Sequence, residues 1–593
     1  MSEKITAQPT DRRNILKRLV ELIKPYRWYF WDSLELTLIM SVLGTLSPLL
    51  VQYAIDGPVS DRDLDLLVLV VLGLIGLILL EAIIQFANTI ATNWMAQTLM
   101  DDLRRQVYNH ILSLRMRYFD TNAIGQLQAR TISDIETLNN VFSSGFVQIL
   151  GQLLQLIVIT GLLMWINWEL ALVVLSVSPL VVVATRVFQV RVREAFNRVR
   201  HYVGEQYAFV QEHLAGMRIV QLFNRQDEEM RRFEAQNNEL LKAHLDTINY
   251  YSVYFPAIEL ITALGLAALV WYGTGLAVAG EVTFGEMVGF LLYVNRFFRP
   301  IRMIAERFNE LQRGIVSGSR IFRVLDTQQF IEDTGDATVD NEIKDAAVSI
   351  RFEQAAFAYN PDEPVLKGIS FEASPGTVTA VVGATGSGKS TLINVLMRFY
   401  DLQGGRICLN DHNIKDFTIS GLRDAVNLVS QDVFLFAGSI YENATLNNPA
   451  LSKADVRAAA KAIGADTFIE KLPGSYDYHV GERGSLLSSG QRQLIAFLRA
   501  MVYNPSVLLL DEATANIDTE SEVLIQRAID TVLNGRTSLI VAHRLSTIQR
   551  ADQILVMRKG EIIERGNHQE LLAQNGHYKK LYELQFASAQ PAA

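Results

Sequence analysis

An uninterrupted apolar run, LVLVVLGLIGLILL from Leu67 to Leu80, is the strongest constraint on how this chain can fold. A helix over it has no polar face to offer water, and with its flanks it reaches the roughly 20 residues that cross a bilayer. Six stretches of this character precede residue 325, at about 29 to 54, 65 to 92, 142 to 166, 168 to 190, 249 to 273 and 284 to 305. The last three are less clean than the first. The sixth carries Arg296, Arg299 and Arg302, which read as its cytoplasmic exit. With 49% hydrophobic residues over 593 positions, the chain is too long for one domain and too apolar for an ordinary soluble enzyme.

Arg104, Arg105, Arg115 and Arg117 follow the second stretch, and Arg191, Arg193, Arg198 and Arg200 follow the fourth. The turns after the first, third and fifth are DGPVSDRDLD, INWEL and GTGLAVAGEVTFGE, short, acidic or neutral. Basic loops stay in the cytoplasm, so both termini are expected there. The basic N-terminal segment, Arg12 to Arg27, has no short apolar core with a cleavage site, so no removable signal peptide is read. Two long intervals, 93 to 141 and 191 to 248, contain few glycines or prolines and read as amphipathic helix extending past the membrane. Breaks in them, YFDTNAIGQL near Asp120 to Gln126 and EHLAGMRIVQLF at Glu212 to Phe223, predict short crossing segments that dock on another part of the protein rather than a solvated stalk.

Past residue 325 the pattern changes to strands and helices alternating with glycine-rich turns, an α/β arrangement. The expected organisation is a transmembrane domain of six helices at 1–325, a polar acidic linker at 326–345 and an α/β domain at 346–593. The net charge of −9 gives no basic field for nucleic acid. A single cysteine, Cys408, rules out an internal disulfide and reads as a small buried strand residue.

The second half carries the chemistry. In VTAVVGATGSGKSTLINVL, Val378 to Val382 reads as a strand, and the residues from Gly383 to Ser390 fit G-x-x-x-x-G-K-[ST] before a helix opening at Thr391. Gly383, Ala384, Thr385, Gly386, Ser387 and Gly388 would surround phosphates with backbone N–H groups. Lys389 would neutralise the β and γ phosphates, and Ser390 would offer its hydroxyl to Mg²⁺. In SVLLLDEATANID a buried strand, Val507 to Leu510, ends in Asp511 and Glu512. Asp511 is placed to hold Mg²⁺ through water, and Glu512 to orient or deprotonate the water that attacks the γ-phosphate. A second phosphate-facing element, LSSGQ with Ser488, Ser489, Gly490 and Gln491, precedes another helix.

LSSGQ, together with the phosphate loop and the acidic strand end in that order, resembles the signature of ABC-transporter ATPases, and with the apolar spans the resemblance covers the whole chain. Tyr359 in FAYN resembles the aromatic that stacks on adenine, Gln431 in LVSQD the glutamine near Mg²⁺ and the membrane domain, and His543 in IVAHRLST the histidine that contacts the γ-phosphate. Asn516 to Asp518 lie where the family has its D-loop; Asp518 is kept, but ATANID departs from the family's serine-alanine-leucine-aspartate run. The resemblance implies a type IV exporter fold, an all-α six-helix transmembrane domain followed by an α/β P-loop ATPase domain, using ATP and Mg²⁺. More narrowly, the chain resembles bacterial multidrug-resistance-like half-transporters of the MdlB type. That implies a multi-pass protein of the inner membrane, with a cytoplasmic ATPase, that pairs with a second half-transporter, a heterodimer being favoured and a homodimer open. Ser488 and Gly490 would then face an ATP held by the partner. The implied cargo is an amphipathic small molecule, drug-like or lipid-like; export of one specific lipid or peptide is the alternative, and an ATP-gated channel a more distant one.

Within the apolar spans, Glu81 and Glu259 are candidates for an aqueous pathway, although interhelical hydrogen bonding or protonation accounts for them equally well. Trp165, Phe290, Tyr293, Phe297 and Phe298 could bind an amphipathic molecule or pack between helices.

Overall fold

The computed structural model describes residues 12–343, 348–511, 519–542 and 545–585. The chain divides into two compact units. One runs up to Ser113 and resumes at Asn122–Gln328; the other joins Leu114–Thr121 to the chain from Gln329 onward.

The first unit is helical: α1 (Arg12–Ile23), α2 (Arg27–Ala54) and α3 (Leu64–Ser113) precede the interruption, and α5 (Ile124–Thr131), α6 (Ser133–Asn140), α7 (Phe146–Ile166), α8 (Trp168–Ala215), α9 (Met217–Leu222), α10 (Gln226–Val278) and α11 (Phe284–Leu325) follow it. Between them, α4 (Met116–Thr121) belongs to the second unit. Five helical segments among the described residues are long and apolar enough to cross a membrane: Asn14–Val59, Leu64–Ser113, Ile124–Ile166, Trp168–Ala215 and Gln226–Val278. The sixth expected span forms one helix, α11, but Glu286, Arg296 and Arg299 interrupt its apolar run, so it is not among the five.

Local chemistry fixes where these helices start. The Asn167 side chain accepts from the N–H groups of Glu169 (3.0 Å) and Leu170 (3.1 Å), which caps α8 immediately after α7 ends. Thr283 and Glu286 form a capping box at α11. Asp56, just past α2, accepts from the Thr283 hydroxyl (2.6 Å) and the Gly285 N–H (2.8 Å), so the end of α2 and the start of α11 lie at the same side of the bundle.

A polar seam joins α2 to α3. Asn88 donates to Thr37 Oγ1 (3.0 Å), and Thr92 donates to Ser33 Oγ (3.0 Å). Small hydroxyl residues let two helices approach and bond where lipid supplies no hydrophobic drive for association. On the other side of the bundle, Phe290, Tyr293, Phe297 and Phe298 of α11 are buried among Leu163, Val174, Val181 and Ile258. Packing is thus what these four aromatics do, whereas Trp165 is 79% exposed.

The second unit holds two sheets. Strands β1 (Ile350–Ala358), β2 (Pro364–Ala373), β4 (Gly404–Leu409) and β5 (His412–Asn413) form an antiparallel sheet in the order β2-β1-β4-β5. Strands β3 (Val378–Val382), β6 (Val426–Val429), β7 (Val507–Asp511), β8 (Thr537–Val541), β9 (Gln553–Arg558) and β10 (Glu561–Gly566) form the other, in the order β10-β9-β3-β8-β7-β6. Its β6, β7, β8, β3 and β9 are parallel. They read as continuous apolar runs because helices cover both faces of such a sheet. Cys408 is buried in β4, as its strand reading implies.

The acidic stretch after α11 is pinned to this unit. Arg398, 3% exposed, donates to the Glu332 carbonyl (3.1 Å), the Ile419 N–H donates to Asp333 (3.0 Å), and Asp340 accepts from the Thr418 N–H (3.0 Å) and hydroxyl (2.6 Å). The α4 helix is held there as well. Arg115 N–H donates to the Gln329 carbonyl (2.9 Å), and the Tyr400 hydroxyl donates to Asp120. Burial, and then that bond and charge, raise the Tyr400 phenol above its ordinary pKa.

Candidate functional site

Parallel strands deliver their carboxyl ends to one edge of the sheet. Asp511 lies level with Val541, and Val541 with Val381, so the turns leaving β7, β8 and β3 emerge side by side, with β6 beyond. Gln431, exposed, follows β6; the phosphate loop follows β3; and Asp511 closes β7. In open α/β sheets ligands bind at this edge. Glu512, Asn516 to Asp518 and His543 lie outside the described residues, immediately after the strands expected to carry them.

The loop from Gly383 to Gly388 is shaped by what glycine alone permits. Gly386 and Gly388 take φ of +80° and +105°, and a Cβ on Gly383 would collide with the Met557 carbonyl. The helix Lys389–Leu396 begins directly afterwards. Lys389 folds back over the loop and donates to the carbonyls of Gly383 (2.8 Å) and Ala384 (3.1 Å). Burial pulls its ammonium below the usual lysine pKa, against which Asp511 works. The Ser387 hydroxyl is buried without a hydrogen-bond partner among the described residues. A desolvated cation, an orphaned donor and a glycine-rich loop leading into a helix N-terminus fit a polyphosphate. Ser390 is exposed on the first turn of this helix, Thr391 is buried beside it, and Asp511 supplies a carboxylate, a donor set of hard oxygens that suits Mg²⁺.

Tyr359 lies edge-on to Phe357 (ring centroids 4.9 Å) and Tyr400 (5.0 Å). Its hydroxyl receives a hydrogen bond from Asn394 (3.0 Å) and lies 3.4 Å from Thr391 Oγ1. The sequence reading missed Asn394. The signal was present, because Asn394 stands three residues after Thr391 on the same helical face.

LSSGQ opens the helix Ser489–Tyr503. Ser488 is its N-cap: its Oγ accepts from the Gln491 N–H (3.2 Å), and Gln491 Oε1 accepts from the Ser488 N–H (3.0 Å). The Ser488 hydroxyl proton is left for an outside acceptor, while Gly490 is buried and Ser489 exposed.

In the helical unit, Glu259 is exposed on α10, and Glu81 is half-buried on α3. Arg296 lies beside Gly44 of α2, and α11 runs on to Leu325.

A P-loop ATPase is thus joined to a bundle of membrane-length helices. Comparison with known proteins refines that class. Residues 33–301 match the ABC transporter transmembrane region, and residues 366–515 match the ABC transporter family. An uncharacterized ABC transporter ATP-binding protein of Bacillus subtilis, YknV, is 35% identical over 96% of this chain and 94% of its own. A Staphylococcus aureus protein, provisionally named a multidrug export ATP-binding/permease protein, is 34% identical over 96% of this chain and all of its own. The solved structure of a bacterial Atm1-family ABC exporter with ATP bound superposes with a TM-score of 0.75 at 27% identity, covering 96% of this chain and 99% of the other. The chain belongs to the ABC transporter family. It is a half-transporter of the exporter arrangement, one membrane region followed by one ATPase domain, in which ATP hydrolysis is coupled to export.

Proposed function

We propose that this half-transporter pairs with a second, similar chain in the bacterial inner membrane and exports amphipathic small molecules by ATP-driven alternating access. A partner of different sequence is favoured, in keeping with the resemblance to MdlB-type chains. The membrane domain ends near residue 325, the stretch 326–345 joins it to the ATPase, and both termini and the ATPase face the cytoplasm. The observation that carries the pairing is the bare apolar surface at α9: Leu214, Ile219, Leu222 and Phe223 are all exposed, and α9 buries none of its residues. A patch of this kind calls for a covering surface.

In the paired state Lys389 offsets phosphate charge, and the loop N–H groups from Gly383 to Gly388 hold the phosphate oxygens. Tyr359 stacks on adenine. Ser488, Ser489, Gly490 and Gln491 face the nucleotide on the partner's loop, and Asp518 lies where the two sites meet. Ser390, Asp511 and Gln431 would hold Mg²⁺, which supplies charge neutralisation at the β and γ oxygens. Glu512 orients the attacking water, and His543 contacts the γ-phosphate. ATP drives closure only through tighter binding to the closed state than to the open one.

Expression of the chain alone tests the pairing: the expected result is no stable, ATP-hydrolysing dimer until a second chain is added. A stable, active dimer of one polypeptide would overturn the heterodimer. Uphill transport in vesicles tests the pump itself, and Glu512→Gln is expected to remove it.

A further inference from the structure

We propose that Glu81 and Arg296, facing one another across a notch left by Gly44, select substrates whose head carries both a positive and a negative charge. This inference rests on the exporter reading and adds the class of head group. A Cβ built on Gly44 would stand 3.3 Å from Glu81 Oε1 and 3.8 Å from Arg296 Nη1, so the two charges converge on the one point where α2 has no side chain. Neither makes a hydrogen bond or ion pair with any described residue. Both are half-buried, and Gly44 is buried.

All three residues stand near the middle of their apolar stretches. At a 1.5 Å rise, Gly44 lies about 15 Å before the end of α2, Arg296 about 18 Å after the start of α11, and Glu81 about 25 Å after the start of α3. Those three helix ends lie on one side, since Asp56 bonds the start of α11 and a short turn joins α2 to α3. Spacing across the notch is fixed by Tyr293, whose hydroxyl donates to the Thr45 carbonyl and anchors α11 beside Gly44.

An unpaired charge at this depth is costly. A cationic ligand would satisfy Glu81 and leave Arg296 bare, and an anionic ligand would do the reverse. A zwitterionic head, with an ammonium and an anionic oxygen a few bonds apart, satisfies both. Such a head occurs on membrane phospholipids and on free amphiphiles.

The test uses the purified exporter, with whatever second chain it requires, in nanodiscs of anionic phosphatidylglycerol, so that the bilayer supplies no zwitterion. Three probes share a dodecyl tail: dodecylphosphocholine, dodecyltrimethylammonium and dodecyl sulfate, with uncharged dodecyl maltoside as reference. Stimulation of ATPase is expected at about tenfold lower concentration for dodecylphosphocholine than for either singly charged probe, the worth of one charge-assisted hydrogen bond. Glu81→Gln shifts the preference toward dodecyl sulfate and Arg296→Gln toward dodecyltrimethylammonium, while the exchange Glu81→Arg with Arg296→Glu restores the zwitterion. Phosphatidylethanolamine added to the disc separates the sources: if it competes with dodecylphosphocholine the head is read from lipid, and if it does not, from free amphiphile. Equal response to all charged probes overturns the proposal while leaving the exporter intact. So does a loss of melting temperature in both single variants, regained in the exchange, with no change in head-group order, because that marks a structural ion pair. No response to any probe, maltoside included, overturns the proposal and counts against the exporter reading.

Discussion

Two short helices, α4 and α9, interrupt the long helical extensions at corresponding places, and they meet opposite fates. In α4, Tyr118 is 5% exposed and Asp120 accepts from Tyr400, so the helix is already part of the ATPase unit. In α9, Ile219 is 64% exposed and neighbouring Phe223 67%, and no residue is buried. Comparable sequence breaks have produced one filled contact and one waiting contact. The difference accords with the proposed pairing: one crossing segment is satisfied within the chain, and the other is left open for a second chain.

The largest effect that would sharpen this contrast is on catalysis. If α9 meets a second chain across shared ATP sites, Lys389→Ala is expected to lower ATPase activity at least about 100-fold without altering pairing, as measured by turnover and by mass of the assembly. Tyr118→Ala comes next and is expected to cost about 3–5 kcal/mol of stability in chemical unfolding, the price of emptying a buried aromatic site. Ile219→Asp with Phe223→Asp is expected to change the unfolding of the unpaired chain by less than about 0.5 kcal/mol, yet to abolish the stimulation of ATPase by transported probes. A large loss of stability there would break the contrast, because it would mean α9 is already covered. Tyr400→Phe removes only the bond to Asp120 and is expected to cost about 1 kcal/mol, with the ring packing against Tyr359 kept. Ser488→Ala is also expected to cost about 1 kcal/mol as a lost helix cap. A much greater fall in ATP turnover than that cap accounts for would place its hydroxyl on nucleotide.

Much of this was legible in the sequence because the relevant chemistry is local. The loop from Gly383 to Ser390 announces itself because a strand, glycines, a lysine and a helix start must follow one another within one turn of chain. The spans were legible because hydrocarbon tolerates few polar residues in a run. What was not legible depended on distant partners. Nothing in the letters around Glu332 and Asp333 shows that Arg398 and Ile419 hold them, so the acidic stretch read only as linker. Nor do three arginines near a span end show that Gly44 lies opposite the first of them. The aromatics of α11 looked as ready to bind cargo as to pack, and only the neighbours that α7, α8 and α10 bring to them decide for packing.

The membership of Leu114–Thr121 in the ATPase unit bears on how the protein can be divided. A fragment beginning at Gln329 would carry every nucleotide-binding motif, yet it would leave Tyr400 without Asp120 and the Gln329 carbonyl without Arg115. The soluble piece an experimenter would cut from this chain is therefore missing one of its own parts. Supplying residues 114–121 as a separate peptide, or grafting them ahead of Gln329 through a flexible spacer, is the way to make it whole.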